Sequence, residues 1–340
     1  MPALCHNPGV THHAIKPTLL LPEEYVADAT RRIREAKRHI YFMCLIVADD
    51  LETGGFIEAL KEAARRGVKV DVAADVFTYG EVAGNFFPTF YRSKRNRASN
   101  SMARKLTEAG VRFTWLGEGH WFPFRGRTHI KFFVVDDVVY SFGGVNLYDK
   151  GVANVDYMFR VEDALLAKKL GKQYKSLRKT NLADIATKGC SLKFGPSRVL
   201  IDGGRVGDSI IYDRACALAA KAEHILLVSQ YCPTGRLGRL IKKVPHELYF
   251  NPPGHAALLN KLLIRFSMIV THTRTLYRRP GYLHAKCIIV DLGGGTKAAI
   301  TGSHNFVWGG VRLGTREIAL QTTDPDVIAQ LEKFCNAYVR

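Results

Sequence analysis

A pattern that occurs twice sets the strongest limit on what this chain can fold into. The segment THIKFFVVDDVVYSFGGVN (128–146) holds His129 and Lys131, then Asp136 beyond four intervening residues, then a glycine pair and Asn146. The segment LHAKCIIVDLGGGTKAAITGSHN (283–305) repeats the arrangement with His284, Lys286, Asp291, Gly302, Ser303 and Asn305. Its interval from aspartate to glycine is longer by four residues, and LGGGTK reads as a lengthened hairpin loop. Side chains alternate faces along a strand, so each His-x-Lys pair projects from one face. The glycines permit close backbone approach, and a hairpin return sets each asparagine beside its histidine.

The surroundings of the two copies also repeat. Residues 23–38 carry Tyr25, Val26, Ala29, Ile33 and Ala36 at helical spacing, and IYFMCLIVA (40–48) follows as a strand. GGFIEALKEAARRG then VKVDVAADV (68–76), and SMARKLTEAG then VRFTWL (111–116), continue the alternation. The second half restates it with a helix in SIIYDRACALAAKAE (209–223), a strand in HILLVSQY (224–231) and a further helix in HAALLNKLLIRF (255–266). A chain of 340 residues with 47% apolar content can bury two ordinary cores. The expected fold is α/β: two pseudo-symmetric lobes, each a mixed β-sheet flanked by helices, with the active site at the lobe interface. The expected division is an N-terminal tail (1–17), a first lobe (18–187) and a second lobe (188–340), with the boundary near ATKGCSLKFGPS (186–197). His39 to His129 spans 90 residues and His224 to His284 only 60, so the first lobe carries extra length, expected within 80–127.

Lys and Arg exceed Asp and Glu by 49 to 31, a net charge of +18, which calls for a polyanionic partner. Phosphate neutralisation would draw nucleic acid, and the same electrostatics would draw anionic lipid headgroups. Seven scattered cysteines without a CxxC pair argue against a disulfide framework or a zinc site, and read as reduced thiols. No apolar run approaches the ~20 residues of a membrane span, and the N-terminus lacks a signal peptide's apolar core. The expected location is cytoplasmic, with peripheral contact to the inner face of the membrane.

The repeated residues suit phosphoryl chemistry. A neutral imidazole can attack phosphorus, a second imidazolium can protonate the leaving oxygen, and two lysines with two asparagines can hold the non-bridging oxygens. Lysine is a poor metal ligand and repels cations, so this chemistry requires no metal and no cofactor. A nucleophilic histidine also needs a carboxylate on its other ring nitrogen. Asp156, in NVDYMFRV, and Glu317, in TREIAL, follow their asparagines by 10 and 12 residues and are assigned as the orienters of His129 and His284, each within its own half.

HxKxxxxD followed by G[GS]xN, present twice, resembles the phospholipase D superfamily, and FPFRGRTHIKFFVVDD resembles the cardiolipin synthase members around their first motif. The resemblance implies a covalent phosphohistidine intermediate, with His129 as nucleophile and His284 as general acid and then base. It implies that Asp136 and Asp291 brace the fold. It implies phosphatidyl transfer or phospholipid hydrolysis, with a nuclease or nucleic-acid end-processing enzyme as the alternative, and a monomer with a self-contained site.

Ser303, Arg125 and Arg127 are assigned to substrate binding, and Arg278 and Arg279 precede His284 in the same way. Two stretches rich in aromatics and arginine, 84–97 and 119–127, are open to substrate or membrane contact or to packing against the other lobe. His6, His12 and His13 have no partners at metal-site spacing.

Overall fold

A computed structural model describes residues 17–78, 94–117, 125–256 and 258–340. The local sequence accounts for the elements it contains. The helix Pro22–Glu35 starts with proline in its first turn, where a missing N–H costs nothing. It has Glu23 and Glu24 at its positive end and Arg32 and Arg34 at its negative end, and it buries Tyr25, Ala29 and Ile33 on one stripe. The helix Ile210–Ala219 is capped by Ser209, whose side chain accepts from the Tyr212 N–H.

In chain order the first seven strands are β1 (Thr18–Leu20), β2 (His39–Cys44), β3 (Lys69–Asp75), β4 (Arg112–Leu116), β5 (Phe132–Val135), β6 (Val138–Ser141) and β7 (Met158–Glu162). The next seven are β8 (Cys190–Phe194), β9 (Ser197–Ile201), β10 (His224–Val228), β11 (His246–Tyr249), β12 (Cys287–Asp291), β13 (Lys297–Gly302) and β14 (Ile318–Thr322). Among the described residues they form two seven-stranded sheets, ordered β1-β7-β6-β5-β2-β3-β4 and β11-β10-β12-β13-β14-β9-β8. The run β3-β2-β5-β6-β7-β1 matches β11-β10-β12-β13-β14-β9 strand for strand, with a parallel pair at one end and antiparallel pairing elsewhere. The duplication read from the sequence is therefore a duplication of sheets. β4 has no counterpart in the second sheet and lies inside the interval where extra length is expected, together with the helix Lys94–Glu108. Of the two aromatic and basic stretches there, 84–93 and 119–124 lie outside the described residues, as do His6, His12 and His13.

The two sheets share a core. Ile130, Phe132, Val134, Tyr157 and Phe159 of the first half join Val199, Ile201, Val228, Cys287 and Leu320 of the second, with Leu170, Tyr174, Leu331 and Phe334 between them. Those last four come from the helices Ala164–Leu182 and Pro325–Phe334. The outer faces are covered by Pro22–Glu35 and Gly54–Arg65 on the first sheet and by Ile210–Ala219 and Gly235–Ile241 on the second. Burying each large apolar side chain contributes about 1.5–3 kcal/mol, so a common core fixes the lobes against each other.

Candidate active site

The two histidine segments meet the opposite lobe through backbone hydrogen bonds. The His129 N–H donates to the Arg316 carbonyl at 2.8 Å, and the Arg316 N–H donates to the Arg127 carbonyl at 2.8 Å. In the pseudo-symmetric position the His284 N–H donates to the Val155 carbonyl at 3.0 Å, and the Val155 N–H donates to the Tyr282 carbonyl at 2.9 Å. Arg316 and Val155 are the residues immediately before Glu317 and Asp156. Each histidine is thus docked beside the carboxylate of the other lobe.

The side chains follow. His129 Nδ1 lies 3.0 Å from Glu317 Oε2 and 3.0 Å from the Ser303 carbonyl oxygen. His284 Nδ1 lies 2.7 Å from Asp156 Oδ2. This corrects the assignment of each carboxylate to the histidine of its own half: the pairs are crossed, because the strands that carry them are bridged across the lobe interface. With Nδ1 engaged, each ring keeps Nε2 for chemistry.

The glycines supply the closeness this needs. A Cβ on Gly143 would lie 1.8 Å from the Tyr157 carbonyl oxygen, and one on Gly302 2.2 Å from that of Ile318. A Cβ on Gly144 would lie 2.6 Å from Asp156 Oδ2, whereas its counterpart Ser303 donates from Oγ to Glu317. Ser303 therefore holds the orienting carboxylate, where the sequence had assigned it to substrate binding.

Lys131 and Lys286 are buried and each donates to the carbonyl of its own motif histidine, Lys131 at 3.0 Å. Asn146 and Asn305 each carry a buried side-chain oxygen with no hydrogen-bond partner among the described residues. Buried polar groups are nearly always paired, so an unpartnered amide oxygen in both half-sites fits a place that receives a hydrogen-bond donor, such as water or an acceptor hydroxyl.

Burial governs the electrostatics. It lowers Lys131 to about 8 and Lys286 to about 7, the second further opposed by Lys131. It lowers His129 against the pull of Glu317, and with the Lys286 charge it lowers His284 to about 3. Burial would raise Glu317, but the charge and hydrogen bond of His129 hold it at about 2. Asp156 is likewise held below its ordinary value, against burial, by the hydrogen bond and charge of His284 and the charge of Lys286.

A bound oxyanion favours the charged lysines and raises their pKa values. Its affinity should therefore be full below about pH 7 and fall as pH rises through the lysine values. Sulfate remains a dianion across this range. Calorimetry should show it binding roughly tenfold or more weakly at about pH 9 than at about pH 6.5, with proton uptake near neutrality. A pH-independent affinity would mean that the lysines do not meet the anion.

Two positioning residues escaped the sequence reading. Asp75, at the end of β3, accepts from the Thr128 N–H at 2.8 Å through Oδ2. Asn251, just past the end of β11, accepts from the Leu283 N–H at 2.8 Å through Oδ1 and donates to the Leu283 carbonyl. Both grip the residue before a motif histidine, and they occupy matching registers. Only the register of the parallel pairs would have revealed them.

Arg127 is not on the phosphate path that the sequence reading gave it. Its guanidinium is buried, pairs with Asp75 Oδ1 at 2.9 Å and donates to the Gly117 carbonyl at 2.9 Å. A charge already paired in the interior is held there by the cost of uncovering its partner. Arg125 is exposed, Arg278 donates to the carbonyls of Thr275 and Tyr277, and Arg279 donates to that of Arg340.

The motif aspartates differ. Asp136 accepts from the backbone N–H groups of Lys37, Arg38 and His39 at 2.9–3.0 Å, and so ties its hairpin to the start of β2. Asp291 accepts from the Gly293 N–H at 2.9 Å and stabilises its own longer loop, where Gly293, Gly294 and Gly295 all have positive φ. Among the described residues no group of three or more His, Cys, Asp or Glu is placed to hold a metal ion, and no helix is long and apolar enough to cross a membrane.

The comparisons with known proteins fall in line with this arrangement. A family model described as cardiolipin synthase, PLD-like domain, matches residues 29–178. Phosphatidylserine synthase from Haemophilus influenzae Rd KW20 has a similar structure at 15% identity and a TM-score of 0.73, covering 96% of this chain and 88% of that one. Polyphosphate kinase from Porphyromonas gingivalis is similar at 13% identity and a TM-score of 0.61, covering 94% of this chain and 49% of that one. At these identities the likeness is one of fold. No curated protein matches the sequence. The fold is that of a bilobal α/β protein with a duplicated His-Lys-Asp motif meeting at one interface. Residues 29–178, which carry the first motif, are thus similar to a phospholipase D-like domain, and the chain as a whole shares the bilobal fold.

Proposed function

We propose that the protein is an enzyme that cleaves or transfers the phosphodiester of a phospholipid, in the manner of a cardiolipin synthase or a phospholipase D, without a metal ion. The observation that carries this reading is the pair of crossed histidine–carboxylate contacts, 3.0 Å and 2.7 Å, flanked by two buried lysines. His129 is the nucleophile. Its side chain is 15% exposed against 7% for that of His284. Its Nε2 attacks phosphorus, and the bond to the leaving oxygen breaks as His284 Nε2–H supplies the proton. His284 then takes the proton from water or an acceptor alcohol, whose oxygen attacks phosphorus and releases His129 Nε2.

Lys131, Lys286, Asn146 and Asn305 hold the non-bridging oxygens as charge gathers there. The substrate's own negative charge offsets the burial that keeps His284 neutral in the free site. A lipid substrate is favoured by the family match described as cardiolipin synthase and by the fold shared with a phosphatidylserine synthase over most of both chains.

The test incubates the protein in EDTA with labelled phosphatidylglycerol vesicles and, separately, with single- and double-stranded DNA. The reading expects lipid turnover that is lost in His129→Ala, with DNA left intact. DNA cleavage without lipid turnover would replace it with a nuclease, and loss of all activity in EDTA would overturn the metal-free mechanism.

A further inference from the structure

The helix Leu258–Thr271 departs from the pattern of the rest of the fold. Of its apolar residues Ile264 is buried, while Leu258 (75%), Phe266 (68%), Ile269 (70%) and Val270 (60%) are among those that stand exposed. At 100° per residue, Leu258, Ile269, Leu262, Phe266, Val270 and Leu263 follow one another around about 140° of the helix, opposite Ile264. Lys261 and Arg265 lie along one flank of this face. A contiguous apolar surface on one helix face is rare on a monomer and marks a contact.

The surrounding charge selects the partner. From Leu248 to Val290 the chain contains no Asp or Glu, and outside the active site it includes Lys261, Arg265, Arg274, Arg278 and Arg279. Arg274, Leu276 and Arg278 are exposed on the return loop, so apolar and cationic groups alternate there as well. The excursion leaves the sheet at Asn251 and rejoins it at Leu283, and these two residues are hydrogen-bonded to each other. The apolar helix is thus hung from the backbone that positions His284. At 14 residues it is too short to span a bilayer, and an apolar face with basic flanks suits a helix lying in the headgroup layer.

We propose that the exposed face of the helix Leu258–Thr271 docks this protein on an anionic phospholipid bilayer. The proposal rests on the lipid reading of the active site for its purpose, but its own evidence is the apolar face and the acid-free, basic stretch of chain that carries it. Apolar burial supplies the insertion, and the basic flank makes it dependent on anionic lipid and on salt.

The test measures co-sedimentation with phosphatidylcholine vesicles, with and without phosphatidylglycerol, for the full chain and for the exposed-face variant Leu262→Ser/Phe266→Ser/Ile269→Ser. The full chain should bind the anionic vesicles, more weakly in high salt, and the variant should bind at least tenfold less. The variant's turnover of a monomeric short-chain phospholipid should stay unchanged. In a second variant, Phe266→Trp, the added indole emission should shift to the blue on vesicle binding and be quenched by brominated lipid. Equal binding by the triple variant, or added indole emission indifferent to brominated lipid, would overturn the proposal. So would a concentration-dependent dimer that the triple variant abolishes, which would assign the face to a second copy. Vesicle binding without turnover of any phospholipid would support the surface and remove the lipid substrate; turnover of the short-chain lipid without vesicle binding would do the reverse.

Discussion

Replacing His129 by alanine should reduce phosphodiester turnover by roughly 10⁴-fold or more, because it removes the atom proposed to form the bond to phosphorus. The contrast with His284→Ala is more informative than the loss itself. With an ordinary alcohol as leaving group that variant should be slow in both steps, by roughly 10²–10⁴-fold, because the proton is needed on departure and again on release. With a p-nitrophenyl phosphodiester the departing oxygen needs no proton. Formation of the adduct should then survive in His284→Ala while its hydrolysis fails, giving a burst of p-nitrophenolate followed by little turnover. His129→Ala should give no burst with either substrate. Exchange of these two behaviours would make His284 the nucleophile.

The crossed pairs make the second prediction. Glu317 touches His129 and Asp156 touches His284, so Glu317→Gln should resemble the loss of His129 and Asp156→Asn the loss of His284. Each should cost roughly 10³-fold in turnover, the scale expected when a catalytic imidazole loses its orienting carboxylate. On the p-nitrophenyl substrate, Glu317→Gln should lack the burst and Asp156→Asn should retain it. Pairing within each half would reverse the two results. Ser303→Ala should give a weaker form of the Glu317→Gln behaviour, because its hydroxyl donates to that carboxylate.

Much of this was legible before the fold. Two complete motifs fixed the duplication, and alternating helix and strand periodicity fixed the α/β lobes. The longer hairpin after Asp291 followed from spacing and turn chemistry, and the bracing position of Asp136 from the family resemblance. The crossing was not legible, because Asp156 and Glu317 are near their own asparagines in sequence and reach the opposite histidines only through two bridges between the lobes. Asp75 and Asn251 were hidden for a related reason: each is a polar residue at a strand end until the register shows that both hold the backbone before a histidine. Arg127 misled because a basic residue near a phosphate motif has two uses, and burial beside Asp75 chose the structural one. The helix Leu258–Thr271 was readable from its periodicity, but periodicity does not say which side of an apolar helix is covered.

The most direct test of the central claim, that both half-sites serve one covalent phosphohistidine reaction, is to trap the adduct. The protein is mixed in EDTA with a ³²P-labelled phosphodiester and quenched in alkaline denaturant, in which phosphohistidine survives, and the labelled peptide is identified by mass spectrometry. The account predicts a single label on His129, absent from His129→Ala and Glu317→Gln and accumulating in His284→Ala with the p-nitrophenyl substrate. Turnover that proceeds with no labelled peptide, or with label on a residue outside the two motifs, would contradict it.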